Sequence, residues 1–375
     1  MRPESPRSRP ADAPVVDDVR QVLSLADIEA TARSIASMQE PTGAIPWVVG
    51  EKTDVWNHVE GAMAMLVGGQ VEAAERAYEW VRHTQRHDGS WPMQFVVGEI
   101  TDHSAETNMS AYIAVGIWHH WTIRGDLAFV RRHWPVVRRA LDYVVSLQLD
   151  WGGIAWSQEW ADGQPGTINA DALVTASSSI YQSLRAGVAL AELMGEPQPE
   201  WELAGGRLGH AIREHRDRFL DKNEWSMDWY YPVLGGAVRG EQAFRELEEQ
   251  WDRFVVEGLG IRCVSKNTWA TGAETCELVM ALDAIGDRTR ALSLFADMQH
   301  LRGEAGAYWT GYVWPDDVNW PHEHSTYTAA AVILAWDALG GHTGGADIMR
   351  GTTLASDFAE IGLECGCETA PVRAG

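Results

Sequence analysis

The sequence predicts an all-α chain closed into an (α/α)6 toroid: six helical hairpins, a buried inner ring, and aromatic loops at one rim. Three observations predict it. A short phrase recurs along the chain, two kinds of helical stretch alternate, and Trp is far above its usual share, with 19 in 375 residues.

The phrase is a Gln at a helix end, a Gly turn, then an aromatic. It occurs in Gln39-EPTGAIP-Trp47, Gln85-RHDGS-Trp91, Gln148-LDWGGIA-Trp156 and Gln299-HLRGEAGAY-Trp309. The last interval is about three units long. Two further aromatic loops fill it, Trp225-SMDWYYPVLGG and Cys263-VSKNTWATGAE, which makes six. Before the third loop, Val130, Trp134, Val137, Leu141 and Val144 recur at helical spacing and mark an amphipathic helix. After the second loop, Ala111-YIAVGIW is apolar on every side, and after the sixth so is Thr328-AAAVILAW. Helices of that second kind need burial all round. Strand signals are short and confined to the loops. A stacked solenoid is the rival arrangement, but buried inner helices favour a closed ring. The expected layout is a flexible tail over 1–17, one toroid over 18–340, and a C-terminal tail over 341–375 packed on or extending from it.

Composition narrows the partners. Hydrophobic residues are 45% and charged residues 22%, ordinary for a globular chain. The net charge of −23 repels phosphate backbones and anionic lipid, so neither nucleic acid nor a membrane is an expected partner. No apolar run reaches the length of a membrane span. The first residues hold Arg, Pro and Ser without an apolar core, so no secretory signal is read. Four Cys (Cys263, Cys276, Cys365 and Cys367) are too few for a disulfide scaffold and suit a reducing compartment. A cytoplasmic protein acting on a neutral substrate is expected, its oligomeric state left open.

Six loops at one rim should bring together Trp47, Trp56, Trp91, Trp156, Trp229, Trp269, Trp309 and Trp314. Aromatic faces of that kind stack on sugar rings or isoprenoid chains. A single Trp is as often core. The same loops carry Asp54 and Glu60, Asp102 and Glu106, Glu159 and Asp171, Asp228, Glu274 and Glu277, then Asp316, Asp317 and Glu323. Many acids at helix starts only cap them. Glycoside hydrolysis, however, needs two carboxyl groups across one bond, and a toroid with acids on different inner helices supplies them.

The phrases TASSSIYQSLRAGVALAEL and PHEHSTYTAAAVILA resemble the glucoamylase-like superfamily of α/α-toroid hydrolases. More closely, DVWNHVEGAMAM, SMDWYYPVLGGA, GIRCV, ETCELVMAL, QHLRGEAGAYWTGYVW and the late Cys365-Gly-Cys367 resemble an actinobacterial family often labelled prenyltransferase-like. That family is expected to include mycobacterial hydrolases of methylmannose polysaccharide. The likeness runs from about residue 24 over nearly the whole chain. It implies endo-acting hydrolysis of α-(1→4) mannoside bonds in a partly O-methylated polymer.

Asp54 is the expected general acid, its proton retained beside Trp56, and Glu274 the expected base at an open helix start; the pair would invert. The expected substrate contacts are Trp47, Trp56, His58, Glu60, Trp91, Glu106, Asn108, Asp228, Trp229, Tyr230, Glu277, Trp309, Tyr312 and Glu323. No cofactor and no metal are expected. Three alternatives stay open. Gln85-RHDGSW matches the squalene-cyclase repeat, but Asp316-Asp317 completes neither a D-x-D-D nor a D-D-x-x-D motif. Cys276 with His322 and His324 would be the start of a zinc site. A carbohydrate cleft could also bind without cleaving.

Overall fold

The computed structural model describes residues 17–358; Cys365, Cys367 and nearly all of the N-terminal tail lie outside them. Twelve helices of nine residues or more are found among the described residues. The odd-numbered ones form the outer layer: α1 Leu25–Met38, α3 Val71–Thr84, α5 Leu127–Ser146, α7 Pro199–Glu214, α9 Gly240–Glu249 and α11 Arg288–Asp297. The even-numbered ones form the inner ring: α2 Val55–Val67, α4 Ile113–Arg124, α6 Val174–Met194, α8 Ser226–Leu234, α10 Gly272–Ala284 and α12 Thr326–Gly340. Each inner helix packs on the next, and α12 returns to α2, so the ring closes.

The two layers differ as their sequences require. Every residue of α2 is buried, and α12 is buried from Thr326 to Leu339. Outer α5 buries one stripe, which contains Val130, Trp134, Val137, Leu141 and Val144, and leaves its Arg residues in water. Outer α1 starts with a capping box in which Ser24 and Asp27 bond each other's backbone N–H.

The recurring Gln is a structural staple in the first three copies, while Gln299 donates to Phe295 O and accepts the Tyr308 hydroxyl. The amide of Gln39 donates to Gly43 O at 3.0 Å and to Ala73 O of the next outer helix at 2.9 Å. Gln85 does the same with Gly89 and Val136, and Gln148 with Gly152 and Ala204. The Gly is required twice over. Gly89 has φ +100°, and a Cβ there would sit 2.1 Å from Arg139 O. Each staple thus locks its loop onto the neighbouring hairpin.

Every strand lies in a loop running from an outer helix to an inner one. β1 (Lys52–Thr53) of the first loop pairs with β2 (Gln94–Val96) of the second, which also holds β3 (Glu99–Asp102) and β4 (Ala105–Glu106). β4 pairs with β5 (Ser157–Ala161) of the third loop, itself paired with β6 (Gln164–Asn169). Leu220 N–H donates to Ala172 O, joining loops three and four, and Trp225 bridges to Val264, joining four and five. In the fifth loop lie β7 (Val255–Val256), β8 (Gly260–Arg262) and β9 (Trp269–Thr271); β9 pairs with β10 (Gly311–Val313) of the sixth, beside β11 (Val318–Asn319). Thr326 N–H donates to Trp47 O and closes the circle. The rim is therefore a continuous hydrogen-bonded collar.

The opposite end is covered by residues after 341. Ile348 and Met349 are buried there, Arg185 of α6 donates to Gly351 O and Ala355 O, and Arg350 pairs with Asp283 at the end of α10. Among the described residues no helix is long and apolar enough to cross a membrane.

Candidate active site

Several inner helices begin beside a carboxylate at the collar, and one of these, Asp54, caps its helix. Asp54 is the N-cap of α2 and accepts the Asn57 backbone N–H at 2.9 Å on Oδ1. Its Oδ2 accepts Trp47 Nε1 at 2.6 Å and Asn57 Nδ2 at 2.7 Å. Glu106 precedes the short turn Thr107–Ala111 that leads into α4. Burial raises its pKa to about 7, with the charges of Asp54 and Asp102 adding to the effect and a hydrogen bond from Trp156 opposing it. Glu274 sits half-buried in the first turn of α10, where the Cys263 thiol bonds it.

A second tier lies deeper. Glu60 is six residues into the α2 side of the ring from Asp54, about 9 Å along the helix. Glu277 is one turn below Glu274. Both are almost fully buried, at 3% and 1% exposure. Glu277 receives three phenol hydroxyls: Tyr231 at 2.7 Å and Tyr327 at 3.0 Å on Oε1, and Tyr230 on Oε2. Glu60 Oε1 accepts Trp56 Nε1 at 3.1 Å and Tyr112 OH at 3.2 Å, while Oε2 is buried without a partner. Burial, and then the charge of Glu277, push Glu60 well above the usual carboxyl range. Burial, and then the charge of Glu274, push Glu277 up as well. Around this floor, Asn108 Oδ1, Ser226 Oγ and Thr271 Oγ1, all at the starts of inner helices, are also buried without a partner. Buried polar atoms of this kind cost free energy unless water or a ligand satisfies them.

Aromatic walls join the tiers. Trp47 packs 5.4 Å from Tyr327, linking the residue that bonds Asp54 to one that bonds Glu277. Trp56 packs against Tyr112 and Tyr231. Trp309 lies half-buried beside His324 at 4.0 Å and His322 at 5.0 Å, and Thr310 donates to Glu323. The structure thus brings Trp47, Asp54, Trp56, Glu60, Tyr230 and Glu277 together, with Glu106, Asn108 and Glu274 at adjoining helix starts.

Other expected contacts lie elsewhere. His58 is fully buried, takes the Ile45 N–H on Nδ1, and pairs Nε2 with Ala77 O; burial lowers its pKa to about 4. It pins the first loop to α3. Trp91 is 2% exposed and donates to Val81 O, and Trp229 stacks on Phe254 while donating to Glu246 O. Both are core. Asp228 accepts Thr175 Oγ1 at 2.6 Å and lines a separate cavity of about 410 Å³ with Arg216 and Lys222. Tyr312 donates to Asp317 on the outer part of the collar. Trp56, expected to shield the proton of Asp54, sends its N–H to Glu60, and the indole bonded to Asp54 is Trp47. Sequence reasoning passed over Tyr112, Tyr231, Tyr327 and Asn57. The available signal was a phenol hydroxyl inside an otherwise apolar inner helix. Among the described residues, no three His, Cys, Asp or Glu side chains are placed to hold a metal ion.

No family model matches the chain. It is 52% identical over 358 residues to the MMP endo-(1,4)-3-O-methyl-alpha-D-mannosidase of Mycolicibacterium hassiacum, covering 96% of this chain and 98% of that one. Among solved structures it resembles a wild-type glycosidase, with TM-score 0.65 and 15% identity over 85% of this chain and 98% of that one. It also resembles a D-mannose isomerase, with TM-score 0.63 and 11% identity over 84% and 97%. These two likenesses concern the fold. The chain belongs to the family of the MMP endo-mannosidase, and it is a glycoside hydrolase.

Proposed function

We propose that the protein cuts α-(1→4) bonds within a partly O-methylated mannose polymer, with Asp54 as general acid and Glu274 as general base. The observation that carries this reading is the siting of the two carboxylates. They open inner helices α2 and α10, on either side of α12, above a floor of hydroxyls and carboxyls, in a chain 52% identical to an endo-mannosidase.

The two groups differ in their surroundings. Asp54 Oδ2 is occupied by two donors, whereas Oδ1 takes only a backbone N–H. In this reading the Oδ1 side of Asp54 faces the glycosidic oxygen and gives it a proton as that bond breaks. Glu274 is half-buried, and a thiol is a weak donor, so water can reach its carboxylate. It would take a proton from the water that attacks the anomeric carbon on the opposite face, inverting the centre. Trp47 and Trp309 supply faces for sugar rings. A methylated mannan is uncharged, which suits a protein of net charge −23, and the reading places the work in the cytoplasm.

The test is product analysis. Incubated with 3-O-methylated α-(1→4) mannooligosaccharides, the protein should release new reducing ends of opposite anomeric configuration from internal bonds. Release of monosaccharide from one chain end alone would sink the endo-acting part of the reading, and retained configuration the inverting part.

A further inference from the structure

We propose that the buried Glu60–Glu277 pair holds one proton on Glu60 Oε2, and that this O–H is a fixed hydrogen-bond donor for a hydroxyl of the bound sugar. The inference rests on the hydrolase reading above for its ligand, and on hydrogen-bond geometry for the proton.

The two carboxyl groups are not equivalent. Three phenols reach both oxygens of Glu277: Tyr231 and Tyr327 on one, and Tyr230 on the other. Three hydroxyl donors spread over both its oxygens favour an ionised Glu277 over an ionised Glu60. The four phenols around the pair stay protonated, since burial and then a nearby Glu charge raise each well above its usual range. Glu60 shows the opposite pattern. Trp56 and Tyr112 both donate to Oε1, and nothing donates to Oε2. An ionised Glu60 would leave a charged oxygen buried and unsatisfied, the costliest state a side chain can have. A proton on Oε2 removes that cost and turns the oxygen into a donor.

Burial and the charges facing Glu60 favour its neutral form and outweigh the hydrogen bonds from Trp56 and Tyr112, which favour the ionised one. Trp56 comes from its own helix, Tyr112 from the start of α4, Tyr231 and Tyr327 from α8 and α12, and the charges of Glu277 and Asp54 from α10 and the mouth. No cation is among them. Two carboxyl groups so placed titrate as a pair, with the second proton hard to remove. A neutral carboxylic acid beneath the cleavage point can do what a carboxylate cannot. It donates to a sugar oxygen without adding repulsion to a water-activating base nearby.

The experiment compares Glu60→Gln with Glu277→Gln. A glutamine at 60 keeps an acceptor for Trp56 and Tyr112 and places N–H donors where the O–H was. Its loss in kcat/KM should be about tenfold or less and fall mainly in KM, as for one binding donor replaced by another. A glutamine at 277 faces three hydroxyls with an amide and no charge, and should cost about a hundredfold or more in kcat/KM. Infrared difference spectra of the ligand-free protein at pH 7 should show a protonated-carboxyl band, besides that of Glu106, that Glu60→Gln abolishes. That readout needs no substrate. If the band is present but wild type leaves methylated mannan intact, the hydrolase reading fails and the proton assignment stands. Absence of the band, equal penalties for the two variants, or a kcat loss above about a hundredfold in Glu60→Gln would each overturn the proposal. The last result would make Glu60 a proton-transfer acid instead of a binding donor.

Discussion

Both ends of the inner ring bury titratable groups, yet the two ends do different things. At the collar end, Glu60 and Glu277 are pushed up, ringed by hydroxyl and indole donors drawn from four inner helices or their starts. Towards the opposite end, His119 and His120 of α4 and His133 of α5 are buried and pushed down, to about 3, 4 and 4, chiefly by burial. Phe129 stacks on His120 at 3.6 Å and packs on His133, and Tyr78 edges both. Orphaned atoms occur at both ends, since His119 Nδ1, His120 Nδ1 and His133 Nε2 make no hydrogen bond either, the last standing 3.7 Å from Glu79. Burial and a shifted pKa are thus no signature of a site. What separates the ends is convergence. The carboxyls are met by polar groups from many helices around one axis, whereas the histidines are wedged among rings between neighbouring hairpins.

The largest expected effect tests that contrast at the chemistry. Asp54→Asn and Glu274→Gln should each lower kcat by about a thousandfold, within the range general acid–base groups contribute. Binding of a short oligosaccharide, followed by titration calorimetry, should change little. If both variants kept near wild-type turnover, the acid and base would have to be sought among Glu106, Glu60 and Glu277.

The ring was legible because each level of the sequence agreed. The Gln–Gly–aromatic phrase gave the hairpin count, and the alternation of striped and uniformly apolar helices gave the two layers. The mouth was less legible, because Trp is both core and ligand. Trp91 and Trp156 occupy the same place in the phrase, yet Trp91 is capped by Val81 O while Trp156 bonds Glu106. Spacing cannot distinguish them, since the difference lies in which neighbour reaches the indole N–H. The tyrosines of the floor escaped for a related reason. Tyr231 and Tyr327 sit in apolar runs that read as packing, and only the fold brings Glu277 to their hydroxyls.

Two tryptophans make the contrast measurable at the next scale. Trp229→Ala empties a core position against Phe254 and should cost about 3–5 kcal/mol of stability, seen as a lower melting temperature and an equal loss on all substrates. Trp309→Ala should leave melting nearly unchanged and lower kcat/KM about ten- to hundredfold, more for long oligomannosides than for short ones. Short substrates leave a remote contact empty, so length dependence marks a subsite. A uniform loss with a large drop in melting temperature for Trp309→Ala would assign it to the core as well.

The smallest effect belongs to the histidine end and concerns pH. The ordinary His pKa is 6.5, and in the fold His120 is pushed down to about 4. Below pH 6.5 the unfolded chain takes up a proton that the folded one refuses until about pH 4. Stability is therefore full above 6.5 and falls as the pH drops towards 4, since the unfolded state binds more protons. At 1.36 kcal/mol per unit, the share of His120 is about 2 kcal/mol by pH 5. His120→Phe keeps an aromatic ring against Phe129 and cannot be protonated. It loses only a 3.4 Å contact to the partly exposed Glu75. Denaturant titrations at pH 7 and pH 5 should show the difference between the two pH values shrinking by about that amount, with turnover at pH 7 unchanged. An unchanged pH dependence would mean that His120 is protonated in the fold and paired with Glu75. The buried groups at that end would then be charged as well, and the contrast between the two ends would rest on convergence alone.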